Sequence, residues 1–357
     1  MGEATDVYSA PEFELAIAQE TALGTPNTTA ADFQRLDQEE NSSPDLSGFV
    51  DDDTPKMDGS NVPQHTDRFF TTAGGTILQP FNTIATKAYL DLFLYAGMQD
   101  LVSEAAGTPF AKIWEWDEST GHGDFAAHAG VTDPGIFFTV VGKNPIASED
   151  TIITSAFIPE LTITSDPTVK AGRLNLTGNF MSGFTSTGKF DPRGSQSITG
   201  ATEPGTDFFH HCLMKTKTLG GVDLIVGSWN ITLNNKGVRN GCDSLGDPNK
   251  YVIGSNKYEA IGSMKVMYDA NTKGIIDNYM TSAFDTELVF AWGSGNDPVD
   301  TDGDLLFKFN VGLGQPVKDF TPVEGTMIEI PIICRSDGTN EMVEIELANI
   351  IDRGWTA

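Results

Sequence analysis

Basic residues, cysteines and long hydrophobic runs are all scarce in this sequence. Lys and Arg number 22 against 50 Asp and Glu, so the 357 residues carry a formal net charge of −28 at pH 7. Because phosphate binding requires clustered Lys and Arg, this balance argues against a protein that binds nucleic acid as a ligand. No run of eighteen apolar residues occurs, and the sequence therefore predicts no membrane-spanning helix.

The few cysteines and histidines do not form a metal-binding pattern. Cys212, Cys242 and Cys334 are widely spaced and include no CxxC pair, which favours reduced thiols over a disulfide framework. His210 and His211 precede Cys212 directly, but neighbouring residues of a strand point to opposite faces and cannot easily share one ion. We therefore predict no zinc site.

Catalytic and nucleotide-binding motifs are also missing. The sequence contains no GxSxG, no GxGxxG and no GxxxxGK[ST]. No set of nucleophile, base and orienting residue can be recognised either. The sequence therefore predicts a protein that is not an enzyme, with no catalytic residue and no cofactor.

One acidic run is a weak candidate for a calcium site. The segment NDPVDTDGDLL places carboxylates at nearly alternate positions, and calcium prefers such oxygen ligands. Counted from Asp300, however, the glycine falls at the fourth place rather than the sixth, and the twelfth residue is Val311 instead of glutamate. A solvated turn is the favoured interpretation. The candidate ligands are Asp297, Asp300, Asp302 and Asp304.

The distribution of charge and apolar residues suggests how the chain is divided. Residues 25–66 are poor in apolar side chains and rich in Asp, Asn, Ser and Pro, whereas residues 161–280 are nearly neutral, with 12 basic and 10 acidic side chains. We predict that residues 1–66 form an N-terminal strand and an acidic extended loop or arm. Residues 67–357 then form a β domain, with 99–150 as a possible insertion.

Alternating apolar residues in the second half predict β-hairpins. Residues 157–184 place Leu161 and Ile163 on one face, and Leu174 and Leu176 on one face beyond a turn. A second hairpin pattern runs through 222–235 and resumes at 258–292, with a turn expected at 269–274.

The second hairpin pattern changes parity at Gly227 and Ser228, so a β-bulge is expected there to keep the apolar side facing inward. Residues 305–311 read as a further strand. The last two strands are expected to pair with each other across a turn at 336–341. Their apolar residues are Ile328, Ile330 and Ile332 in one strand and Val343, Ile345 and Leu347 in the other.

One amphipathic helix is predicted before these strands. Apolar residues recur at three- and four-residue spacing from Ile84 to Ala96, Gly97 is expected to end the helix, and Asn82 or Thr83 could cap its start. The predicted fold class is therefore mainly β: an antiparallel β-sandwich or flattened barrel with one flanking helix and long loops.

Four segments give the chain a resemblance to the tail tube proteins, or major tail proteins, of long-tailed bacteriophages. Residues 13–30 read FELAIAQETALGTPNTTA and resemble that family's opening strand and turn. Residues 157–184 read FIPELTITSDPTVKAGRLNLTGNFMSGF and resemble its central hairpin. Residues 224–269, and TSAFDTELVFAWG at 281–293, resemble its second half. The likeness is a pattern over most of the chain rather than a single signature motif.

The resemblance implies a structural role in a virion tail. Family members stack as hexameric rings, and hairpins from all six subunits complete a β-barrel tube that conducts phage DNA during genome ejection. The implied partners are further copies of the chain, a tape-measure protein and the tail terminator or tail-tip proteins, with DNA passing through without specific binding. Assembly in the host cytoplasm would precede location in the virion. Candidate ring-contact or lumen residues are Asp166, Lys170, Arg173, Lys236 and Arg239.

Two other functions remain open from the sequence. Another virion structural protein, such as a capsid decoration or tail-end ring protein, would share the β content and the acidity. A carbohydrate-binding β-sandwich is the second alternative, because aromatic residues beside carboxylates can form a sugar platform. The residues that could line it are Trp114, Glu115, Trp116 and Asp117.

Overall fold

The computed structural model of the protein is mainly β and antiparallel, which confirms the predicted fold class, and its described strands form no closed barrel. The structure describes residues 14–21, 25–37, 49–52, 67–70, 77–99, 101–105, 107–116, 137–144, 149–182, 184–185, 193–239, 252–254, 258–281, 285–295, 298–313, 317–319, 327–336, 340–353 and 355.

The strands of the first half are β1 (Glu14–Gln19), β2 (Gln34–Arg35), β3 (Phe49–Asp52), β4 (Asp67–Phe70), β5 (Ile77–Ile84), β6 (Ser103–Glu104), β7 (Phe110–Trp116), β8 (Phe138–Lys143), β9 (Asp150–Ala156), β10 (Glu160–Ser165), β11 (Asn175–Ser182) and β12 (Phe184–Thr185). Those of the second half are β13 (Arg193–Gly194), β14 (Thr216–Leu219), β15 (Val222–Asp223), β16 (Val226–Asn234), β17 (Gly237–Arg239), β18 (Val252–Gly254), β19 (Glu259–Met267), β20 (Asp285–Trp292), β21 (Leu305–Leu313), β22 (Val317–Asp319), β23 (Met327–Cys334) and β24 (Val343–Asn349). The α-helices are α1 (Leu90–Met98) and α2 (Ala270–Thr281).

The larger sheet divides at β21. Its main path runs β15-β14-β20-β21-β23-β19-β16-β10-β11-β5. One edge of β21 pairs with β20, while the other pairs with β24 through residues 305–309 and with β23 through residues 311–313. A second branch therefore leaves β21 through β24, β7 and β6.

A smaller sheet packs against the larger one and shares its core. It has the order β12-β9-β8-β1-β2, with β13 also paired to β9. Ile17 and Phe138 of this sheet belong to the same buried cluster as Trp229 and Phe307 of the larger sheet and Phe93 of α1. The two sheets and the helix thus enclose one continuous hydrophobic core.

Helix α1 lies inside the core rather than on its flank. Every residue from Leu90 to Met98 is buried, as expected for a helix that is apolar on nearly all sides. It ends where Gln99 adopts φ 56° and its N–H donates to Tyr95 O at 2.7 Å. The predicted start at Ile84 is wrong, because Ile84 belongs to β5 and pairs with Asn175 of β11.

Two local predictions for the strands are confirmed. β10 and β11 form an antiparallel hairpin in which Ile163 is paired with Leu176. The register of β16 against β19 shifts between Val226 and Ser228, which is the β-bulge that the parity change predicted.

Two other predictions for the second half are wrong. β23 and β24 do not pair with each other: both lie along the same edge of β21, β24 beside residues 305–309 and β23 beside residues 311–313. Residues 270–281 form α2 instead of continuing a turn. Asp269 starts this helix: its carboxylate accepts a hydrogen bond from Thr272 N at 2.9 Å, and its own N–H donates to Thr272 Oγ1 at 2.7 Å.

The described parts of residues 1–66 and 99–150 contribute strands to both sheets. β1 pairs with β8 along six residues in the smaller sheet. β7 pairs with β24 along its whole length in the larger one. β3 and β4 form a separate two-stranded ribbon. The division into an arm, a β domain and an insertion stays a prediction.

Candidate assembly surface

The strands β5, β11, β10, β16, β19 and β23 present one face to the core and the opposite face outward. The outward positions alternate with buried ones along each strand. We call this outward side the polar face, because small hydroxyl and amide side chains dominate it. Its defining residues are Asn82, Thr162, Thr164, Thr177, Asn230, Thr232 and Ser263.

Side chains of the polar face hydrogen-bond to one another across the strands. Thr162 Oγ1 and Thr232 Oγ1 are 2.9 Å apart, and Asn230 Nδ2 donates to Ser263 Oγ at 3.1 Å. These contacts occupy polar groups that would otherwise be available to a ligand. The centre of the face, along β10 and β16, is therefore uncharged and internally bonded, whereas the facing outward residues Lys265 of β19 and Glu329 of β23 are charged.

An exposed aliphatic pair interrupts the polar face. Ile261 and Ile333 are directly opposite in the β19–β23 register, and their exposed fractions are 42% and 41%. Thr232 lies beside Ile261 on β16. Single exposed aliphatic residues are common, but a cross-strand pair on a polar sheet is a local candidate for contact with another protein surface.

The polar face ends at β5, the terminal strand of the main path. β5 pairs with β11 through eight residues, and no second strand joins its other edge within the described part of the chain. Pro80 lies in the middle of β5, and sheets accept proline at edge strands because it has no N–H to donate.

The five residues predicted as ring or lumen contacts fall at the two ends of the β10–β11 hairpin. Asp166, Lys170 and Arg173 lie in the turn that follows β10, whereas Lys236 and Arg239 follow β16 beyond the opposite end. The six residues of β10 separate the two groups by about 20 Å. The structure therefore brings the first three together and leaves the last two apart from them.

An asparagine that sequence reasoning missed fixes the chain beside Lys236. Asn235 is fully buried, and its Nδ2 donates to Gly97 O at 2.9 Å and to Ile158 O at 2.8 Å. Lys236 adopts φ 57° and pairs its ammonium with Glu259. The end of α1 and the starts of β10 and β17 are thereby held at one point.

The acidic run proposed as a calcium site is used to fold a loop. Asp304 is buried, and its carboxylate accepts hydrogen bonds from Ser294 N at 2.6 Å and Thr301 N at 3.1 Å. Asp297 lies outside the described residues. The other two candidate ligands, Asp300 and Asp302, are exposed. Asp304 is thus occupied by backbone donors, and this geometry favours the turn over an ion site.

The adjacent histidines have separate structural contacts. His211 Nδ1 lies 2.9 Å from Ser165 Oγ and its Nε2 lies 3.1 Å from Val226 O, and burial lowers the pKa of His211. His210 Nδ1 instead accepts a hydrogen bond from Cys212 N at 3.2 Å. The structure therefore does not aim these three side chains at one point.

The two tryptophans proposed for a sugar platform are inside the protein. Trp114 and Trp116 are fully buried, and Trp116 Nε1 donates to Met98 O at 3.0 Å. Trp116 also stacks on Tyr258, with ring centroids 4.5 Å apart. A sugar could not reach these rings in the folded protein, so the prediction that they line a sugar platform is wrong. Asp117 lies outside the described residues.

A buried charge cluster, also missed from the sequence, joins α1, β7 and the segment after β24. Lys112 and Asp91 are completely buried, with Nζ 2.7 Å from Oδ2. Arg353 Nε lies 3.0 Å from the same oxygen, and Glu104 Oε1 lies 3.6 Å from Lys112 Nζ. Burial alone would raise the pKa of Asp91, but the charges of Arg353 and Lys112 outweigh it and hold that pKa below its usual value.

A second cluster lies on the outer side of β21 and β24. The Lys308 ammonium lies between the carboxylates of Glu344 and Glu346, the latter at 3.4 Å. Glu346 also accepts a hydrogen bond from Val299 N at 3.0 Å. Burial raises the pKa of Glu344 to about 7, even though Lys308 opposes this change.

Comparison with known proteins gives no match that would indicate a function. No protein-family model matches the chain, and no curated protein matches it. Within the described residues, no group of three His, Cys, Asp or Glu side chains could hold a metal ion. Of the helices in that part of the chain, none is both long and apolar enough to cross a membrane.

Proposed function

We propose that this protein is a structural subunit that assembles with identical copies into the tail tube of a long-tailed bacteriophage. The observation that carries the proposal is the polar face: a broad antiparallel array whose outward side is uncharged at its centre and which ends in the eight-residue strand β5. The role is structural rather than catalytic.

The outer edge of β5, which no strand of the described residues joins, supports assembly through strand edges. An edge strand of this length is a template for pairing with another chain, and proteins commonly cover, shorten or charge such edges. Closure of several copies into a ring removes the edge altogether. Six copies per ring, stacked into a tube, is the arrangement that the resemblance implies.

The chemistry of the polar face supports a surface along which DNA can pass without binding. Its hydroxyl and amide groups already bond to one another, as between Thr162 and Thr232. Clustered Lys and Arg, which would hold phosphates, are not part of its centre. The net charge of −28 adds a general repulsion of DNA. In this proposal the polar face lines the lumen, and a tape-measure protein and tail-end proteins complete the tail.

Electron microscopy of the purified protein over a range of concentrations tests the proposal. We expect hexameric rings and tubes with a regular axial repeat, together with negligible DNA binding in a filter assay at about 0.15 M salt. Closed single rings that never stack would favour a tail-end ring protein. A compact monomer at every concentration, even when mixed with tail-end partners, would contradict assembly.

A further inference from the structure

The turn between β10 and β11 has an unusual backbone that is fixed from several sides. Lys170, Ala171 and Gly172 adopt consecutive left-handed conformations, with φ 48°, 56° and 77°. Only glycine adopts this conformation without strain, so surrounding contacts must hold the first two residues in place. Val169 precedes them and is 48% exposed. We call residues 166–173 the hairpin tip.

The contacts that hold the hairpin tip come from β5, β11 and residues 208–210. The Lys170 ammonium donates to the side-chain oxygens of Asn82 and Asn175. The Arg173 guanidinium lies over the Phe208 ring, 4.3 Å from its centroid.

Gly172 fits closely against another ring of the same segment: a Cβ at this position would lie 2.8 Å from Cε1 of His210. These contacts present Val169 on a pre-formed turn, so little ordering entropy remains to be lost on binding.

A groove of about 490 Å³ lies at the opposite end of the same hairpin. Leu78, Pro159 and Met181 give it an apolar floor. The polar and charged lining residues are Glu160, Asn179, Asn234 and Lys236. Its volume is within the range of about 300–1,000 Å³ that is typical of ligand-binding clefts. The groove opens on the outward side of β5, β11 and β10.

Charge favours the hairpin tip as the occupant of this groove. The tip contributes Lys170 and Arg173, while the carboxylate of its Asp166 accepts hydrogen bonds from within the tip, from Thr168. On the groove side, Glu160 accepts a hydrogen bond from Asn234 Nδ2 at 3.0 Å, and no described cation lies within ion-pair distance of it. Lys236 also lines the groove, but its ammonium pairs with Glu259, so it does not neutralise Glu160. A tip with two cations thus faces a groove with an uncompensated carboxylate, on a chain whose net charge otherwise opposes self-association.

We infer that the hairpin tip of one copy docks in the groove of the next copy, with Val169 on the apolar floor. This inference rests on the proposed function and identifies the contact that stacks one ring on another. Because the tip and the groove occupy opposite ends of one strand pair, the contact is head-to-tail and leaves both ends available for growth.

Matched substitutions at exposed positions test the contact. Val169→Glu alters the tip, and Asn179→Trp fills the groove; both positions are exposed. Val102→Glu is the control, since Val102 is a 42% exposed aliphatic residue elsewhere on the surface. We expect all three variants to melt like the wild type. The first two should raise the protein concentration needed for tubes at least about tenfold while rings persist, and the control should not.

A mixing experiment uses the polarity of the contact. Rings of V169E keep an intact groove and rings of N179W keep an intact tip, so an equal mixture should give double rings that do not grow further. Tubes from V169E or N179W at wild-type concentration would overturn the tip–groove contact and leave the tube proposal standing. If the wild type forms neither rings nor tubes, the proposed function fails, and the contact fails with it.

Discussion

Lys112 is a completely buried charged side chain of the core, as is its partner Asp91. Its ammonium donates to Asp91, to Asn349 Oδ1 at 3.0 Å and to Ile351 O at 2.8 Å. The Trp355 ring centroid lies 5.3 Å away. Every donor direction of the lysine is therefore used, and the segment after β24 is held against α1 and β7.

Replacement of Lys112 by alanine should lower the free energy of unfolding by about 3–5 kcal/mol, because it leaves a buried carboxylate with one fewer cation. Urea unfolding at pH 7 measures this loss. Lys308→Ala is the control: its loss should be about 1 kcal/mol, since Glu344 can take up a proton when the lysine is gone. Equal losses in the two variants would contradict this account of the buried cluster.

The Glu344 carboxyl should make stability depend on pH near neutrality. Its pKa rises from 4.5 to about 7 in the folded protein, so the folded state holds the proton more strongly than the unfolded chain. The stabilisation is complete below about pH 4.5 and is lost as the pH rises through about 7.

Glu344→Gln keeps the shape and removes the titration. The melting temperature of the variant relative to the wild type should therefore increase between about pH 5 and pH 8. Thermal melts in buffers of constant ionic strength measure the difference. A difference that is the same at both ends of this range would show that Glu344 does not titrate there.

At the scale of elements, the sequence predicted most strands but not all of their partners. Period-two alternation identified β10, β11, β16, β20 and β21, and a parity change identified the bulge after Val226. Alternation shows which face of a strand is buried, but it does not show which strand lies beside it. The sequence therefore did not show that β23 and β24 each pair with β21 along the same edge instead of with each other, although neighbours in sequence often pair.

The two helices show where local sequence signals failed to predict the secondary structure. The apolar spacing from Ile84 onward suits a helix, but pairing with β11 keeps residues 77–84 extended. The signal for α2 was present in Asp269 and Thr272, a cap at the right spacing. It was missed because the helix itself has only a weak apolar stripe.

The sequence predicted some parts of the assembly surface and not others. Charged turn residues such as Lys170 and Arg173 could be selected from sequence because turns are normally exposed. The groove could not, since Leu78 and Met181 come together only through the β5–β11 pairing. Asn235 was equally hidden, because its role depends on contacts with Gly97 and Ile158.

Two glycine-to-alanine substitutions should have opposite effects. A Cβ at Gly262 in β19 would lie 2.0 Å from Asn230 O, so the β16–β19 pairing must distort. We expect a loss of about 1–3 kcal/mol or more. Gly274 in α2 has open space around it, and alanine there should stabilise by about 0.5–1 kcal/mol. Chemical unfolding measures the change in the free energy of unfolding of both variants. A decrease for Gly274→Ala would contradict the predicted stabilisation.

On the scale of the whole molecule, charge should control association. Copies that each carry −28 repel one another, and salt screens this repulsion with a Debye length of about 10 Å at 0.1 M. The protein concentration at which assemblies form should therefore fall as sodium chloride increases from about 0.02 to about 0.3 M. Light scattering measures the threshold. A threshold that rises with salt would indicate that attraction between opposite charges dominates the contact.

The pairing of β7 with β24 also sets the order in which the molecule can be completed during synthesis. Lys112 and its hydrogen-bond partner Asn349 are 237 residues apart. At about 5–20 residues per second, a ribosome needs roughly 10–50 s to make the intervening chain. Throughout that interval the nascent polypeptide carries an early strand whose mate has not been translated, so the β7–β24 branch of the larger sheet can be completed only late in synthesis.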